Sequence, residues 1–90
     1  KAGIVFIDYE YRNDLAQYLR DKQFPVDFVM MISLDNGTIS YRYVNSGVKV
    51  LPIAEYFGGK GHDYAASSPI SLNVRDAIVD IICEHKRVNK

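Results

Sequence analysis

The chain has 90 residues, 48% hydrophobic and 24% charged, with 11 Lys+Arg balancing 11 Asp+Glu. That size allows one small domain, which would hide only about 60–65% of its unfolded surface and so fold with a thin margin. A formal charge of zero gives no broad positive field for holding a long polyanion, which argues against a histone-like or duplex-coating role. No run approaches the ~18 apolar residues of a membrane span, and no basic stretch leads into an apolar signal core. The expectation is a soluble, unsecreted, cytoplasmic protein with no membrane partner. Cys83 is the lone cysteine; it cannot form an internal disulfide and reads as an ordinary helix thiol. Lys1 rather than Met at the start, followed at once by a strand-like run, suggests a fragment of a longer protein.

Gly3 to Ile7 is a short continuous apolar run, the pattern of a strand covered on both faces and therefore central in a sheet. Tyr11, Leu15, Tyr18 and Leu19 recur at helical spacing, which predicts a helix over 13–22 with Asn13 as N-cap and Asp14 at the positive end of its dipole. After Pro25, residues 26–34 form a β-rich apolar run. Asn36-Gly37 signals a hairpin, so residues 38–44 should return antiparallel. Period two in that strand separates Ile39, Tyr41 and Tyr43 from a polar face of Thr38, Ser40 and Arg42. Pro52 near the start and Gly58 just past the end bracket a short helix, 52–57.

Residues 58–62 then read as a glycine-dense loop and 65–72 as a last strand, with Pro69 implying an edge or irregular position. Val74, Ala77, Ile78, Ile81 and Ile82 form an amphipathic helical stripe that ends near the basic Lys86 and Arg87, with His85 beside them. The predicted order is βαββαβα, a single α/β domain. Its strand–helix–strand crossover should be parallel and its hairpin antiparallel, giving a mixed sheet with helices packed on it.

Gly58-Gly59-Lys60-Gly61-His62 is the most informative stretch. Glycines at three of four successive positions cost backbone entropy that a plain connection does not require. They permit close approach to the backbone, with successive amides turned inward as an anion-binding nest, and Lys60 and His62 add side-chain donors. A Walker loop is excluded by Ala54 and Gly61, and a dinucleotide fingerprint started at Gly59 is excluded by Tyr64. His62 and Asp63 are adjacent and lack a partner at i+3 or i+4, so no metal site is assigned. Tyr43 and Tyr64 are candidates for stacking a nucleobase, although tyrosines at such spacings more commonly edge a core.

Ser40-Tyr41-Arg42 on a strand, a short helix ending Ile53-Ala54-Glu55-Tyr56-Phe57, then Gly58-Gly59-Lys60-Gly61-His62 and Ala65-Ala66 resemble the C-terminal domain associated with DHH phosphoesterases. That domain shows a Ser-x-Arg-Ser strand and a Gly-Gly-Gly-Gly-His loop running into Ala-Ala-Gly on a mixed sheet. The resemblance covers most of the chain and is strongest over 34–67. Lys60 stands in place of a glycine, Tyr43 in place of the second serine and Ser67 in place of the last glycine. Lys60 would be strained if its position required positive φ.

The resemblance implies a substrate-binding half, with no catalytic residue and no cofactor of its own. A separate N-terminal DHH domain would hold manganese and hydrolyse a short single-stranded oligonucleotide or small nucleotide, in a parent open to homodimer formation. Arg42 would contact the substrate phosphate or base, Gly58, Gly59, Lys60, Gly61 and His62 would cradle the phosphate, and Ser40 would support them. One rival is a regulatory small-ligand module of the ACT type, which shares the βαββαβ order and would dimerise around an amino acid. Another is a tRNA-contacting appendage of an aminoacyl-tRNA synthetase, disfavoured by the zero net charge.

Overall fold

A computed structural model of the chain describes residues 1–45, 47–71 and 76. β1 (Ala2–Phe6) leads through a 3-10 turn (Tyr9–Tyr11) into α1 (Arg12–Asp21). The hairpin strands β2 (Phe28–Ser33) and β3 (Thr38–Tyr43) follow, then α2 (Leu51–Tyr56), β4 (Lys60–His62) and β5 (Ala65–Pro69). They form one sheet in the order β1-β2-β3-β5-β4. β1 and β2 are parallel, as a crossover through α1 requires, and every other pair is antiparallel. The domain is therefore the expected α/β fold on a mixed sheet. The expected helical stripe from Val74 to Ile82 lies, Asp76 apart, outside the described residues. Among the described residues no helix is long and apolar enough to cross a membrane.

The two helices take opposite faces. α1 buries Ala16 against Val29, Met31 and Val44. α2 buries Val50 and Ala54 against Ile32, Ile39, Tyr41 and Ala66. β1 is an edge strand rather than a central one, with Ile4 62% and Phe6 53% exposed. The crossover sets β1 beside β2, and α2 packs chiefly on the β4 and β5 side of its face. An apolar run reads the same on an edge as in the middle.

Asn13 sits inside α1, not at its cap, because the 3-10 turn extends the helical path upstream and makes Tyr11 the cap. The hairpin loop spans residues 34–37, with the Asn36 and Gly37 amides both donating to the Ser33 carbonyl, and only Gly37 of the Asn-Gly pair takes positive φ, +70°. The predicted loop 58–62 contains a strand, β4, whose three residues pair with β5. β5 is therefore internal. Pro69 falls opposite Thr38, beyond the end of β4, where its missing N–H costs no bond to that strand.

Both helices end alike. In α2 the Gly58 amide donates to Glu55 O and the Gly59 amide to Ala54 O, a Schellman motif around a left-handed glycine. In α1 the Gln23 amide donates to Arg20 O and the Phe24 amide to Leu19 O, and here Gln23 takes the left-handed position at φ 50°. A side chain there costs about 1–2 kcal/mol, against about 0.5–1 kcal/mol of added chain entropy for glycine. Gln23→Gly should therefore raise the midpoint of urea unfolding, by ~0.5–1 kcal/mol.

Tyr41 is fully buried and its hydroxyl lies 2.8 Å from Ser68 Oγ. Burial pushes its phenol above the usual tyrosine range, with the Ser68 hydrogen bond opposing. The fold thus favours the neutral phenol. Its contribution is intact below the ordinary tyrosine value and is lost as pH rises through that value to the raised one. Tyr41→Phe should cost about 1 kcal/mol at neutral pH yet flatten the alkaline loss of stability, measured by circular dichroism along a pH series.

Candidate functional site

Register brings the two singled-out segments together. Ser40 pairs with Ser67 and Ser67 with Lys60; Arg42 pairs with Ala65 and Ala65 with His62. Directly paired residues share a face, so Ser40, Ser67 and Lys60 form one row and Arg42, Ala65 and His62 the next. Strands lie ~4.8 Å apart, which puts Arg42 and His62 about 10 Å apart across β5. The α1 face carries both rows. Lys60 and His62 are exposed on the outer strand, and a hollow of about 420 Å³ opens between Thr38, Gly58, Gly59, Lys60 and Ser67.

Ser40 does not look into an open cleft. α1 packs over this half of the polar face, leaving Ser40 1% exposed, and its Oγ, like that of Ser33, has no hydrogen-bond partner among the described residues. An unpaired buried hydroxyl costs ~1–3 kcal/mol. Ser40→Ala should therefore stabilise the unliganded domain in a thermal melt. A loss of stability would show that the hydroxyl has a partner in solution.

Arg42 is half-buried and held in place. Its Nη1 donates to Tyr41 O (3.0 Å) and Ala66 O (3.1 Å), and its Nε to Asn13 Oδ1 (3.3 Å). Among the described residues Nη2 has no hydrogen-bond partner. Burial lowers Arg42 below the usual arginine range, the Arg12 charge lowers it further, Tyr9 opposes and Arg20 adds to the depression. Among the described residues none of these three arginines forms an ion pair with a carboxylate. Arg42 thus stands among like charges, which suits a group that meets an anion.

The glycines have roles within the fold. The Gly58 and Gly59 amides are taken up by α2 carbonyls, so they do not form the inward nest expected of them. A Cβ on Gly59 would meet Ser67 O at 2.1 Å, and one on Gly61, at φ +148°, would meet Ala65 O at 2.6 Å. What comes close to these glycines is the β5 backbone. Lys60 is absent from the positive-φ residues and sits in an extended strand, so its side chain brings no strain. What the register groups on this face is side chains: Arg42, Lys60 and His62.

Arg12 and Arg20 carry no role in the sequence pattern, and Asn13 has one there only as a helix cap. Arg12 and Arg20 flank the buried Ala16 at i, i+4, i+8 spacing, which sets them along the sheet-facing side of α1. Arg12 stacks on Tyr9 with Cζ 3.8 Å from the ring centre, and Arg20 on Tyr43 at 4.6 Å. Tyr43 in turn meets Tyr64 edge-on at 5.5 Å. The spacing around a small residue was the available signal. No family model matches this sequence, and no curated protein matches it.

Proposed function

We propose that the domain grips the phosphate of a nucleotide or short single-stranded oligonucleotide for a manganese-dependent DHH-type phosphodiesterase of the cytoplasm, whose separate N-terminal domain performs the hydrolysis. The observation that carries this reading is the register that sets Arg42, Lys60 and His62 on one face. Those side chains neutralise and orient a phosphate. The Arg42 and Lys60 charges repel a divalent cation, so the manganese belongs to the other domain. Nothing in the cradle activates water, and the domain alone binds without hydrolysing.

The regulatory small-ligand reading has less support. β1 and β2 pair directly, whereas a split β-α-β unit places another strand between them. Titration with a 5′-phosphorylated dinucleotide, followed by backbone amide shifts, tests the proposal. Shifts should concentrate at 40–42 and 60–62. Shifts that avoid both segments would sink the reading.

A further inference from the structure

We infer that the outer edge of β1 is an interface between two copies of this chain, which pair antiparallel about a two-fold axis at Ile4. The inference goes beyond the phosphate reading and stands without it.

The direction of the β1 backbone groups decides what this edge offers. The Ile7 amide donates to Ile32 O and the Lys1 carbonyl accepts from the Asp27 amide, so the odd-numbered residues turn their backbone groups toward β2. Successive residues of a strand turn theirs to opposite sides. Ala2, Ile4 and Phe6 therefore aim both N–H and C=O outward, and among the described residues β1 has no strand on that side.

The two edges of the sheet are built differently. β4, at the far edge, has three residues, among them Lys60 and His62, with Gly61 between at φ +148°. Short length and charge keep such an edge from templating another strand. β1 has neither charge nor proline from Ala2 to Phe6, and it pairs with β2 residue by residue without a bulge. Its outward-bonding residues carry apolar side chains, with Ile4 and Phe6 both more than half exposed. Ile4 also walls an apolar groove of about 270 Å³ with Met30, Ile32 and Phe57.

The strand that fits this edge is β1 itself. In an antiparallel pair, residues directly opposite share a face, and those whose groups point at each other exchange both hydrogen bonds. Centring the pair on Ile4 sets Ile4 against Ile4 and Ala2 against Phe6, so every outward N–H and C=O of the strand is bonded. Centring it on Val5 would set Ala2 against Asp8, beyond the end of the strand. The Ile4 register lays the Phe6 ring beside Ala2 on one face and sets Gly3 opposite Val5 on the other. A Cβ on Gly3 would meet the Val26 methyls at 3.6 Å, an ordinary contact, so one copy alone does not require glycine there. Glycine inside a strand suits close approach of another backbone. The formal charge of zero leaves two copies without long-range repulsion. A five-residue edge buries less than the ~800 Å² per partner of a standard interface, so the dimer is weak and depends on concentration.

Sedimentation equilibrium of the chain from roughly 10 μM to 1 mM, the range in which a small interface dissociates, tests the inference. The mass should rise from one copy to two with no ligand added. Over the same series hydrogen exchange should slow at the Ala2, Ile4 and Phe6 amides and stay constant at Gly3, Val5 and Ile7, which bond to β2. Ile4→Lys sets like charges face to face across the axis and should weaken the dimer roughly tenfold or more. Ile4→Glu should do the same, and mixing the two variants should restore the dimer, because this position meets itself. A chain that remains a single copy at about 1 mM would overturn the inference. So would an Ile4→Lys variant that pairs as the parent does, or a mixture that associates no better than either variant alone. A single copy whose Ala2, Ile4 and Phe6 amides exchange slowly at every dilution would overturn it as well, and would assign the edge to another segment of the same chain.

Discussion

Gly59→Ala should detach β4 from the sheet. The new methyl would lie 2.1 Å from Ser67 O and 2.8 Å from Ser68 Cα, both main-chain atoms that no rotamer change can move aside. The cost belongs at or above the ~3 kcal/mol upper end of overpacking. A 90-residue domain holds only ~5–13 kcal/mol in all. Gly61→Ala should come next, since it combines a 2.6 Å approach to Ala65 O with φ of +148°. Gly58→Ala meets nothing within 4 Å and costs only the left-handed strain of about 1–2 kcal/mol. Urea midpoints should fall in that order, and the two severe variants should also lose phosphate affinity because Lys60 and His62 lose their strand. A silent Gly59→Ala with Gly58→Ala the most damaging would mean that this backbone serves a ligand instead of β5.

Local chemistry made most of the fold legible. The apolar runs marked β1 and β2, the Asn36-Gly37 turn marked the return of β3, the 3.6-residue spacing marked α1, and Pro52 with Gly58 bracketed α2 to within one residue. The errors are of one kind. β1 was placed centrally because an apolar run says nothing about who sits beside it, and β4 was read as loop because glycine density hid a strand held by its neighbour. Gly58 announced its left-handed cap; Gln23 performs the same role at α1 with no signal at all, since the fold imposes a conformation that glutamine does not favour.

The site followed the same division. Ser40, Arg42, Lys60 and His62 stood out by residue type and by motif, but their placement on one face is a matter of register, which only the paired strands reveal. Alternation put Ser40 and Arg42 on a polar face correctly and could not tell that α1 covers half of it. The formal charge of zero is equally incomplete. It averages Arg12, Arg20 and Arg42, close enough to repel one another, with acids paired elsewhere, such as Asp27 at the amino terminus and Asp63 beside Lys49. A neutral protein with that arrangement repels no small anion at long range and offers it a concentrated local field.

Arg42→Gln should separate binding from stability more sharply than any other change. If the proposed phosphate site is correct, removing its half-buried guanidinium should cost about 2–5 kcal/mol of binding, roughly 30-fold to several thousand-fold in affinity. Folding responds differently. The variant gives up hydrogen bonds to Tyr41 O, Ala66 O and Asn13, each worth ~0.5–1.5 kcal/mol. It also escapes the burial of a charge and its repulsion by Arg12 and Arg20, the causes that depress Arg42. These effects oppose one another, so the urea midpoint should move by no more than ~1 kcal/mol while phosphate titration shows little or no binding. The reverse result, a strongly destabilised variant that still binds phosphate normally, would make Arg42 a strut between β3 and β5 and move the anion site to Lys60 and His62.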